Sequence, residues 1–489
     1  MASFDEKALG LLTEFERFTR EQQSELLKRL LLKCQPLQLR VLYAELKPLL
    51  AIDFASNLPK EVTHRILSYL PAKELCRIAR CNSLWRDRAN HNPIWHKLCQ
   101  LRGWEKFGEN QPLSLDNSTV YTIDRPTSPS CKTPPPAFST GMLQPPTCRW
   151  KTIYIRAYYL QKNWETGNYT IAPILRGHRE PINDIACNGR VLVSAGSDNC
   201  ARVWDIKEAR CTHVLDTPHT DSVRCVQLVP PKCVTGCADG VVRIFNVNTG
   251  ACIRTLSGHS GGIEKLCFDG KIIASAATDK NVCIWNANSG KLLQTLRGHT
   301  DEIEFLVMRK SYVISTSWDE SIRLWDTTSG TCSLTLRGHS EVAYCCQFDD
   351  EKVVTGGGDN LIMVWSAHTG ECTATLSGHT GEVYCLAFND EIIASGSADS
   401  SVRIWSFRGV CLFTLEEHIG VVRCLHLSGD RLVSGGDRKK IAVWNTKSGK
   451  LLNVVHRNPT LLHKLWADET KLITASPEKP GTITIINYW

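Results

Sequence analysis

Residues 376–406 read LSGHTGEVYCLAFNDEIIASGSADSSVRIWS, and this stretch contains the pattern that decides the fold of most of the chain. His379, near its start, is followed 26 residues later by Trp405. A block of about forty residues with the same spacing recurs from Ile174 to the C-terminus. Because a fixed period of this length is typical of repeat architectures, the sequence predicts an array of similar units.

Seven blocks are clear from their two ends. They open at Gly177-His178, Pro218-His219, Gly258-His259, Gly298-His299, Gly338-His339, Gly378-His379 and Glu417-His418, and they close at Trp204-Asp205, Phe245-Asn246, Trp285-Asn286, Trp325-Asp326, Trp365-Ser366, Trp405-Ser406 and Trp444-Asn445. Four strand patterns follow each opening, which in the sixth block are 383–388, 391–395, 401–405 and 411–415. These features resemble WD40 repeats, so each block is expected to form one four-stranded blade of a β-propeller.

Four residue types recur inside the blocks at positions where they can form one buried hydrogen-bond chain. The complete sets of His, Ser or Thr, Asp and Trp are His178, Ser194, Asp198 and Trp204; His259, Ser275, Asp279 and Trp285; His299, Ser315, Asp319 and Trp325; His339, Thr355, Asp359 and Trp365; and His379, Ser395, Asp399 and Trp405. The second block has Phe245 in place of Trp, and the seventh has Arg438 in place of Asp. Since no active site needs five copies of a triad, these residues are interpreted as structural and no catalytic residue is expected.

The chain after His456 predicts an eighth, degraded blade with strands over 461–467, 471–475 and 482–486. Its missing outer strand is expected at 170–175, just before the first Gly-His pair. Pairing both ends of the array in one blade would close the ring and remove exposed sheet edges. The predicted propeller therefore covers residues 170–489 with eight blades.

Residues 8–53 are expected to be helical, with a capping box formed by Thr19 and Gln22 and with helical spacing of leucines on both sides of Pro36. Helices this rich in Leu need a partner, which is either the next domain or a second copy of the chain. The leucines expected at a dimer interface are Leu27, Leu30, Leu31, Leu42 and Leu46.

Residues 54–99 contain Leu58-Pro59, paired aliphatic residues, a second Leu-Pro at residues 70 and 71, and the segment Cys81 to Arg86 followed by Trp95. Periodicity alone predicts only a compact helical unit. The order of these residues also resembles an F-box, which docks on a Skp-type adaptor. The resemblance implies an adaptor-binding set of Leu58, Pro59, Val62, Ile66, Leu67, Leu70, Leu75 and Trp85.

Residues 100–169 are expected to be a linker. Eight prolines between Pro112 and Pro146 predict a disordered insert over 105–148, and the apolar pattern after Trp150 predicts a stalk helix over 150–164. The fold class is thus multidomain, with an all-α N-terminal part followed by an all-β propeller.

The composition excludes several functional classes. The 489 residues carry a net charge of only +7, which does not call for nucleic acid as a partner. No apolar run approaches the roughly 20 residues of a membrane span, and the N-terminus lacks the sections of a signal peptide, so an intracellular protein of the cytoplasm or nucleus is expected. The 22 cysteines include no C-x-x-C pair. No metal, cofactor or phosphate-binding loop is expected.

The order of these segments resembles the F-box/WD40 substrate receptors of SCF cullin-RING ubiquitin ligases, above all the eight-bladed branch that recognises phosphorylated degrons. This resemblance implies a non-catalytic subunit that joins a substrate to a Skp-type adaptor and, through it, to the cullin-RING core. It also implies a homodimer. An alternative function is a WD40 interaction scaffold without a role in ubiquitin ligation.

The substrate surface departs from this resemblance. In that branch, arginines five residues after the blade His in the third and fourth repeats bind phosphate, whereas this chain has Glu264 and Glu304 there. The substrate-binding residues expected at or near the equivalent positions are Arg224, Glu264, Glu304, Trp318, Tyr344, Tyr384, Arg423, Arg438 and His463. We expect an acidic side on blades three and four and a basic side around blades seven, eight and two. A phosphorylated or acidic substrate segment is expected near the arginines, with its basic flank near the glutamates.

Overall fold

The computed structural model describes residues 4–49, 57–109, 148–215, 219–437, 440–456, 464–475 and 480–489. The chain forms two compact units that divide between Ala157 and Tyr158, inside one helix. Residues 110–147 of the predicted disordered insert over 105–148 lie outside the described residues, whereas its start is not disordered, since Lys106–Glu109 form a short helix.

Nine helices occur among the described residues. They are α1 (Phe4–Arg17), α2 (Arg20–Lys33), α3 (Pro36–Leu49), α4 (Lys60–Leu67), α5 (Ala72–Ile78), α6 (Ser83–Ala89), α7 (Asn92–Gln100), α8 (Lys106–Glu109) and α9 (Arg149–Thr166).

Residues 4–49 form three helices, whereas the leucine spacing on the two sides of Pro36 accounts for only two of them. The predicted capping box begins α2, because the Thr19 backbone N–H donates to Gln22 Oε1 at 3.0 Å and the Gln22 N–H donates to Thr19 Oγ1 at 3.4 Å. Pro36 is the first residue of α3, where its missing N–H leaves no helical hydrogen bond unmade. The additional helix α1 precedes this capping box.

The helices α4 to α7 pack around one apolar core with the first half of α9. Leu67, Leu75, Trp95 and Cys99 are fully buried, and Tyr154 of α9 packs edge-on against Trp95 with ring centroids 5.3 Å apart. The buried Trp95 indole N–H donates to the Ala89 carbonyl at 2.8 Å, so this large side chain leaves no polar atom unpaired. These contacts make residues 57–109 and the start of α9 one folded unit.

The described part of the second unit contains the end of α9 and eight antiparallel sheets. The first four are β3 (Ile182–Cys187), β4 (Val191–Gly196), β5 (Ala201–Asp205) and β6 (Arg210–Leu215); β7 (Val223–Val229), β8 (Lys232–Cys237), β9 (Val241–Asn246) and β10 (Cys252–Ser257); β11 (Ile263–Phe268), β12 (Ile272–Ala277), β13 (Val282–Asn286) and β14 (Leu292–Leu296); and β15 (Ile303–Arg309), β16 (Tyr312–Ser317), β17 (Ile322–Asp326) and β18 (Cys332–Leu336).

The remaining sheets follow the same order along the chain. They are β19 (Ala343–Phe348), β20 (Lys352–Gly357), β21 (Ile362–Ser366) and β22 (Cys372–Leu376); β23 (Val383–Phe388), β24 (Ile392–Ser397), β25 (Ser401–Ser406) and β26 (Cys411–Glu416); β27 (Val422–Ser428), β28 (Arg431–Gly436), β29 (Lys440–Asn445) and β30 (Lys450–His456); and β31 (Lys464–Ala467), β32 (Lys471–Ala475) and β33 (Thr482–Asn487) with β1 (Thr170–Ile171) and β2 (Leu175–Arg176).

The eight sheets form a closed ring, which confirms the predicted eight-bladed propeller. The first strand of each blade lies beside the first strand of the next, and β31 of the last blade contacts both β27 and β3. The strands β1 and β2 pair with β33, with Thr170 opposite Asn487 and Leu175 opposite Ile483. Both ends of the repeat array therefore share one sheet, and closure removes the free edges that an open array would expose.

The five complete hydrogen-bond chains form as predicted. In blade six, His379 Nδ1 lies 2.8 Å from the Asp399 carboxylate, His379 Nε2 lies 2.8 Å from Ser395 Oγ, and the Trp405 indole N–H donates to the same Oγ at 2.8 Å. The same bonds occur in blades one, three, four and five. Each hydrogen-bond chain connects the start of its blade with the second and third strands. No polar atom inside the hydrogen-bond chain is left unpaired.

The hydrogen-bond chain is altered in blades two and seven, and in a different way in each. In blade two, Arg243 Nη2 lies 2.8 Å from Asp239 and Arg243 Nη1 lies 3.4 Å from His219 Nδ1, so the guanidinium stands between the two residues. In blade seven, His418 bonds Ser434 at 2.8 Å, but its Nδ1 is buried without a hydrogen-bond partner among the described residues. The replacement of Asp by Arg438 in blade seven therefore affects one ring nitrogen of His418.

Candidate functional site

Seven residues at equivalent positions of blades one to seven occupy β-bulges. In each blade the first strand has one residue more than the second strand at this point, so the extra residue has no cross-strand partner. A bulge bends the strand locally and re-aims the side chain of the extra residue. We call the surface formed by these residues the bulge face, and they are Asn183, Arg224, Glu264, Glu304, Tyr344, Tyr384 and Arg423.

The acidic part of the bulge face is already in contact with basic side chains. Arg224 of blade two lies 3.5 Å from Glu264 of blade three, and Lys265 lies 3.7 Å from Glu304 of blade four. All four side chains are at least partly exposed, so these ion pairs are weak. Burial raises the pKa of Glu264 even though Arg224 and Lys265 lower it. The acidic side predicted on blades three and four is therefore not fully separated from the basic side, because a basic residue of blade two contacts an acidic residue of blade three.

Three aromatic residues form a continuous row from blade four to blade six. The ring centroids of Trp318 and Tyr344 are 6.3 Å apart and nearly perpendicular, and those of Tyr344 and Tyr384 are 5.0 Å apart. The Trp318 indole N–H donates to Glu304 Oε2 at 3.1 Å, and the Tyr384 hydroxyl donates to Glu382. The bond to Glu382, followed by burial, raises the pKa of Tyr384 to about 12. We call Trp318, Tyr344 and Tyr384 the aromatic row.

Arg423 closes one end of the aromatic row. Its guanidinium carbon lies 5.6 Å from the centroid of the Tyr384 ring, and its Nε donates to Asp437 at 3.2 Å. Asp437 fixes the position of a cation over the aromatic face. This contact brings the predicted residues Tyr384 and Arg423 together within the bulge face.

One of the equivalent residues is engaged within the propeller. The Asn183 side chain donates to the Val223 carbonyl at 2.8 Å and accepts from Ser197 Oγ at 3.1 Å, so it connects blades one and two. Arg438 and His463, which were expected on the basic side, lie outside the described residues.

Several neighbours that shape this surface were not among the predicted site residues. Lys265, Glu382 and Asp437 each contact a residue of the bulge face directly. Two of them could have been recognised by position, because Lys265 follows Glu264 and Glu382 precedes Tyr384 by two residues. Asp437 lies 14 residues after Arg423, and its contact arises only from pairing of the first two strands.

The candidate adaptor-binding residues fall into two groups. Val62 and Ile66 are 44% and 41% exposed, Pro59 is exposed, and Leu58, Leu70 and Trp85 are partly buried. In contrast, Leu67 and Leu75 are completely buried in the helical core, so their expected direct contact with an adaptor is replaced by a packing role. Tyr69, which follows α4, is also strongly exposed.

The helices before residue 50 leave their apolar side chains in solvent. All five leucines expected at a dimer interface are exposed, and the structure describes no buried residue in α2. Large exposed apolar surfaces on helices indicate a missing partner.

Two further observations concern other classes of site. Within the described ranges, no helix has both the length and the apolar character required to cross a bilayer. The same residues contain no group of three or more His, Cys, Asp or Glu side chains placed to hold a metal ion.

Comparison with protein families gives two matches. The F-box-like family matches residues 55–101. The family described as WD domain, G-beta repeat matches the seven segments 170–205, 209–246, 250–286, 290–326, 330–366, 370–406 and 409–445. These segments together cover more than half of the chain.

Relatives with similar sequence include named ligase subunits. The "probable E3 ubiquitin ligase complex SCF subunit sconB" of Arthroderma otae is 30% identical over 180 residues, which are 36% of this chain and 26% of that protein. The "F-box/WD repeat-containing protein 7" of Drosophila melanogaster is 29% identical over 43% of this chain and 14% of that protein. The "F-box/WD repeat-containing protein pof1" of Schizosaccharomyces pombe is 28% identical over 37% of this chain and 36% of that protein. The chain thus spans little more than a third, or less, of the length of these relatives.

A solved structure is also similar. The crystal structure of the computationally designed protein Ika8 matches 64% of this chain and 98% of its own, with a TM-score of 0.61 and 29% sequence identity.

Proposed function

Because this chain belongs to the WD40 repeat family and carries an F-box-like domain, we propose that it is the substrate-recognition subunit of an SCF-type ubiquitin-protein ligase. The F-box-like domain would bind a Skp-type adaptor and, through it, the cullin-RING core. The bulge face would bind the protein substrate. Ubiquitin would be transferred by a separate enzyme, and the receptor would act by raising the effective concentration of the substrate near that enzyme.

The observation that carries the proposal is the exposed apolar surface on the F-box-like domain of a chain that also contains a propeller. Val62 and Ile66 lie one helical turn apart on α4, and both remain exposed although the domain has a complete core beneath them. Side chains at this spacing share one helix face and can enter a groove of a partner. The names of the relatives as SCF subunits support the same partner.

Capture of a purified Skp-type adaptor by the full chain tests this proposal. The variant Val62→Asp with Ile66→Asp should lose capture, because two charges would be buried in an apolar contact. The matched control is Ile253→Asp on β10 of the propeller, where Ile253 is 44% exposed, and it should retain capture. Failure of the unaltered chain to bind the adaptor would refute the receptor function and leave a plain interaction scaffold.

We also propose that α2 and α3 form a homodimer. The exposed leucines of these two helices would be covered by the same surface of a second copy, as in other symmetric dimers. A dimer would present two bulge faces to one substrate and increase its residence time.

Phosphate recognition is a finer proposal for the bulge face. Arg423 and Arg224 are the described arginines that could bind a phosphorylated residue, and each already contacts a carboxylate, Asp437 or Glu264. A phosphate would have to compete with that carboxylate. Binding of matched phosphorylated and unmodified peptides tests this proposal, and Arg423→Glu should abolish any preference for the phosphorylated form.

A further inference from the structure

The aromatic row has two different ends. At the blade-six end, the Arg423 guanidinium already lies over the Tyr384 ring. At the blade-four end, Trp318 is 50% exposed, and among the described residues no Lys or Arg side chain lies over the ring of Trp318 or of Tyr344. The row therefore accepts one cation from its own chain and leaves its other end open.

Two carboxylates, those of Glu304 and Glu341, lie beside the open end. Glu304 accepts the indole N–H of Trp318 at 3.1 Å, which holds the carboxylate beside the ring. Glu341 and Tyr344 lie side by side over Gly358, where a Cβ atom would stand 3.5 Å from Glu341 Oε2 and 3.4 Å from Tyr344 Cε2. Burial, and after it the charges of Glu382, Glu304 and Glu341, raise the pKa of the Tyr344 hydroxyl. Lys265 is the described cation closest to Glu304, at 3.7 Å, and it forms only a partly exposed ion pair with it.

Aromatic faces and carboxylates attract the same kind of ligand group. The face of an indole or phenol ring is negative and binds Lys or Arg, and carboxylates add charge-assisted hydrogen bonds. A phosphate or an acidic side chain would be repelled by Glu304 and Glu341 at this place. The blade-four end is thus complementary to a positive group on the ligand.

We propose that the surface formed by Trp318, Tyr344, Glu304 and Glu341 binds an arginine or lysine side chain of the substrate. This proposal deepens the receptor function proposed above and rests on the propeller being the substrate-binding part. The substrate is then a segment with a basic residue at this position, and the Arg423 end of the row contacts the part of the segment beside it.

Retention of synthetic peptides by the immobilised full chain tests the proposal. The probes are heptapeptide pools with mixed neutral flanks and a fixed central arginine, lysine, citrulline, glutamate or phosphothreonine. Citrulline keeps the shape of arginine without its charge. At physiological salt, the arginine pool should be retained about tenfold more than the citrulline pool, because both cation–π contacts and carboxylates act on the charge.

The variants Trp318→Ala and Glu304→Gln should each remove most of this preference. The matched controls are Tyr312→Ala, an aromatic residue 41% exposed at the first position of β16, and Asp350→Asn, an exposed carboxylate. Both controls should leave retention unchanged. Thermal unfolding of every variant would verify that the fold is retained.

Several results would overturn the proposal: equal retention of the arginine and citrulline pools, stronger retention of the phosphothreonine pool, no retention of any pool, or a preference that survives Trp318→Ala. Adaptor capture is measured on the same preparation. Capture without an arginine preference refutes the cation site alone, and an arginine preference without capture refutes the ligase function alone.

Discussion

The substitution Asp399→Ala tests whether the recurring hydrogen-bond chains stabilise the propeller. The Asp399 carboxylate accepts four hydrogen bonds: from His379 Nδ1 at 2.8 Å, the Thr380 N–H at 3.1 Å, the Ser401 N–H at 2.9 Å and the Ser401 hydroxyl at 2.7 Å. Alanine would leave the buried donors of His379 and Ser401 without this acceptor, at about 1–3 kcal/mol each. Ser401 Oγ lies 3.3 Å from His379 Nδ1 and can recover part of the loss. We expect the free energy of unfolding to fall by about 2–4 kcal/mol.

The same carboxylate gives this prediction a pH dependence. Burial alone would raise the pKa of Asp399, but hydrogen bonds from Ser401, His379 and the backbone outweigh it and lower the pKa to about 2. The folded pKa is below that of the unfolded chain, so the stabilisation is complete above the unfolded pKa and declines as the pH falls towards the folded value. The difference between the unaltered chain and Asp399→Ala should therefore shrink by about 1 kcal/mol between pH 6 and pH 3.

Equilibrium unfolding in urea measures both effects, with hydrogen exchange of blade-six peptides as a local readout. The matched control is Asp390→Ala, an exposed carboxylate of the same blade, which should change the unfolding free energy by less than about 0.5 kcal/mol. The reasoning is refuted if Asp399→Ala is no more destabilising than this control, or if its effect is the same at pH 6 and pH 3.

Three further predictions concern stability and assembly. Light scattering should show that Leu30→Asp with Leu42→Asp reduces the mass of the chain from a dimer to a monomer, and a monomeric unaltered chain would contradict the proposed interface. Trp444→Phe removes the hydrogen bond from the indole N–H to Ser434 Oγ but keeps an aromatic ring, so it should lower the free energy of unfolding measured in urea by about 1–2 kcal/mol. Complete unfolding of this variant would contradict the estimate. Burial lowers the pKa of His418 to about 4, so stability should decrease as the pH falls from about 6.5 towards 4, and His418→Gln should weaken that trend.

The repeat spacing predicted most of the propeller because each blade repeats the same local signals. The strand bounds expected in blade six differ from the observed strands by at most two residues at any end. The contribution of Thr170 to the last sheet was also predictable, since an eighth blade with three strands leaves one position empty. These features depend on residues that recur at a fixed spacing, and this spacing is visible in a single sequence.

Contacts between non-equivalent side chains could not be predicted in this way. Arg243 stands between Asp239 and His219 in blade two, although arginine also occurs at the equivalent position of other blades, as Arg202 and Arg403 do. Similarly, the leucine pattern of the F-box-like domain could not separate buried from exposed positions, because its helices are short and pack on several sides. Such outcomes depend on three-dimensional packing, for which the repeat period carries no information.

The β-bulges allow the residues of the bulge face to vary while the hydrogen-bond chains of the blades stay the same. The hydrogen-bond chains lie inside the blades, whereas the bulge residues have no cross-strand partner. Apart from Asn183, which connects blades one and two, their identity is therefore free of the constraint that preserves the blades. Asparagine, arginine, glutamate and tyrosine all occupy the equivalent position on the same backbone geometry. Glu264 and Glu304 therefore need no compensating change in the fold, even though they reverse the charge that a phosphate would require. The chemistry of the ligand must be inferred from the bulge face of this chain, and that face combines carboxylates with an open aromatic surface.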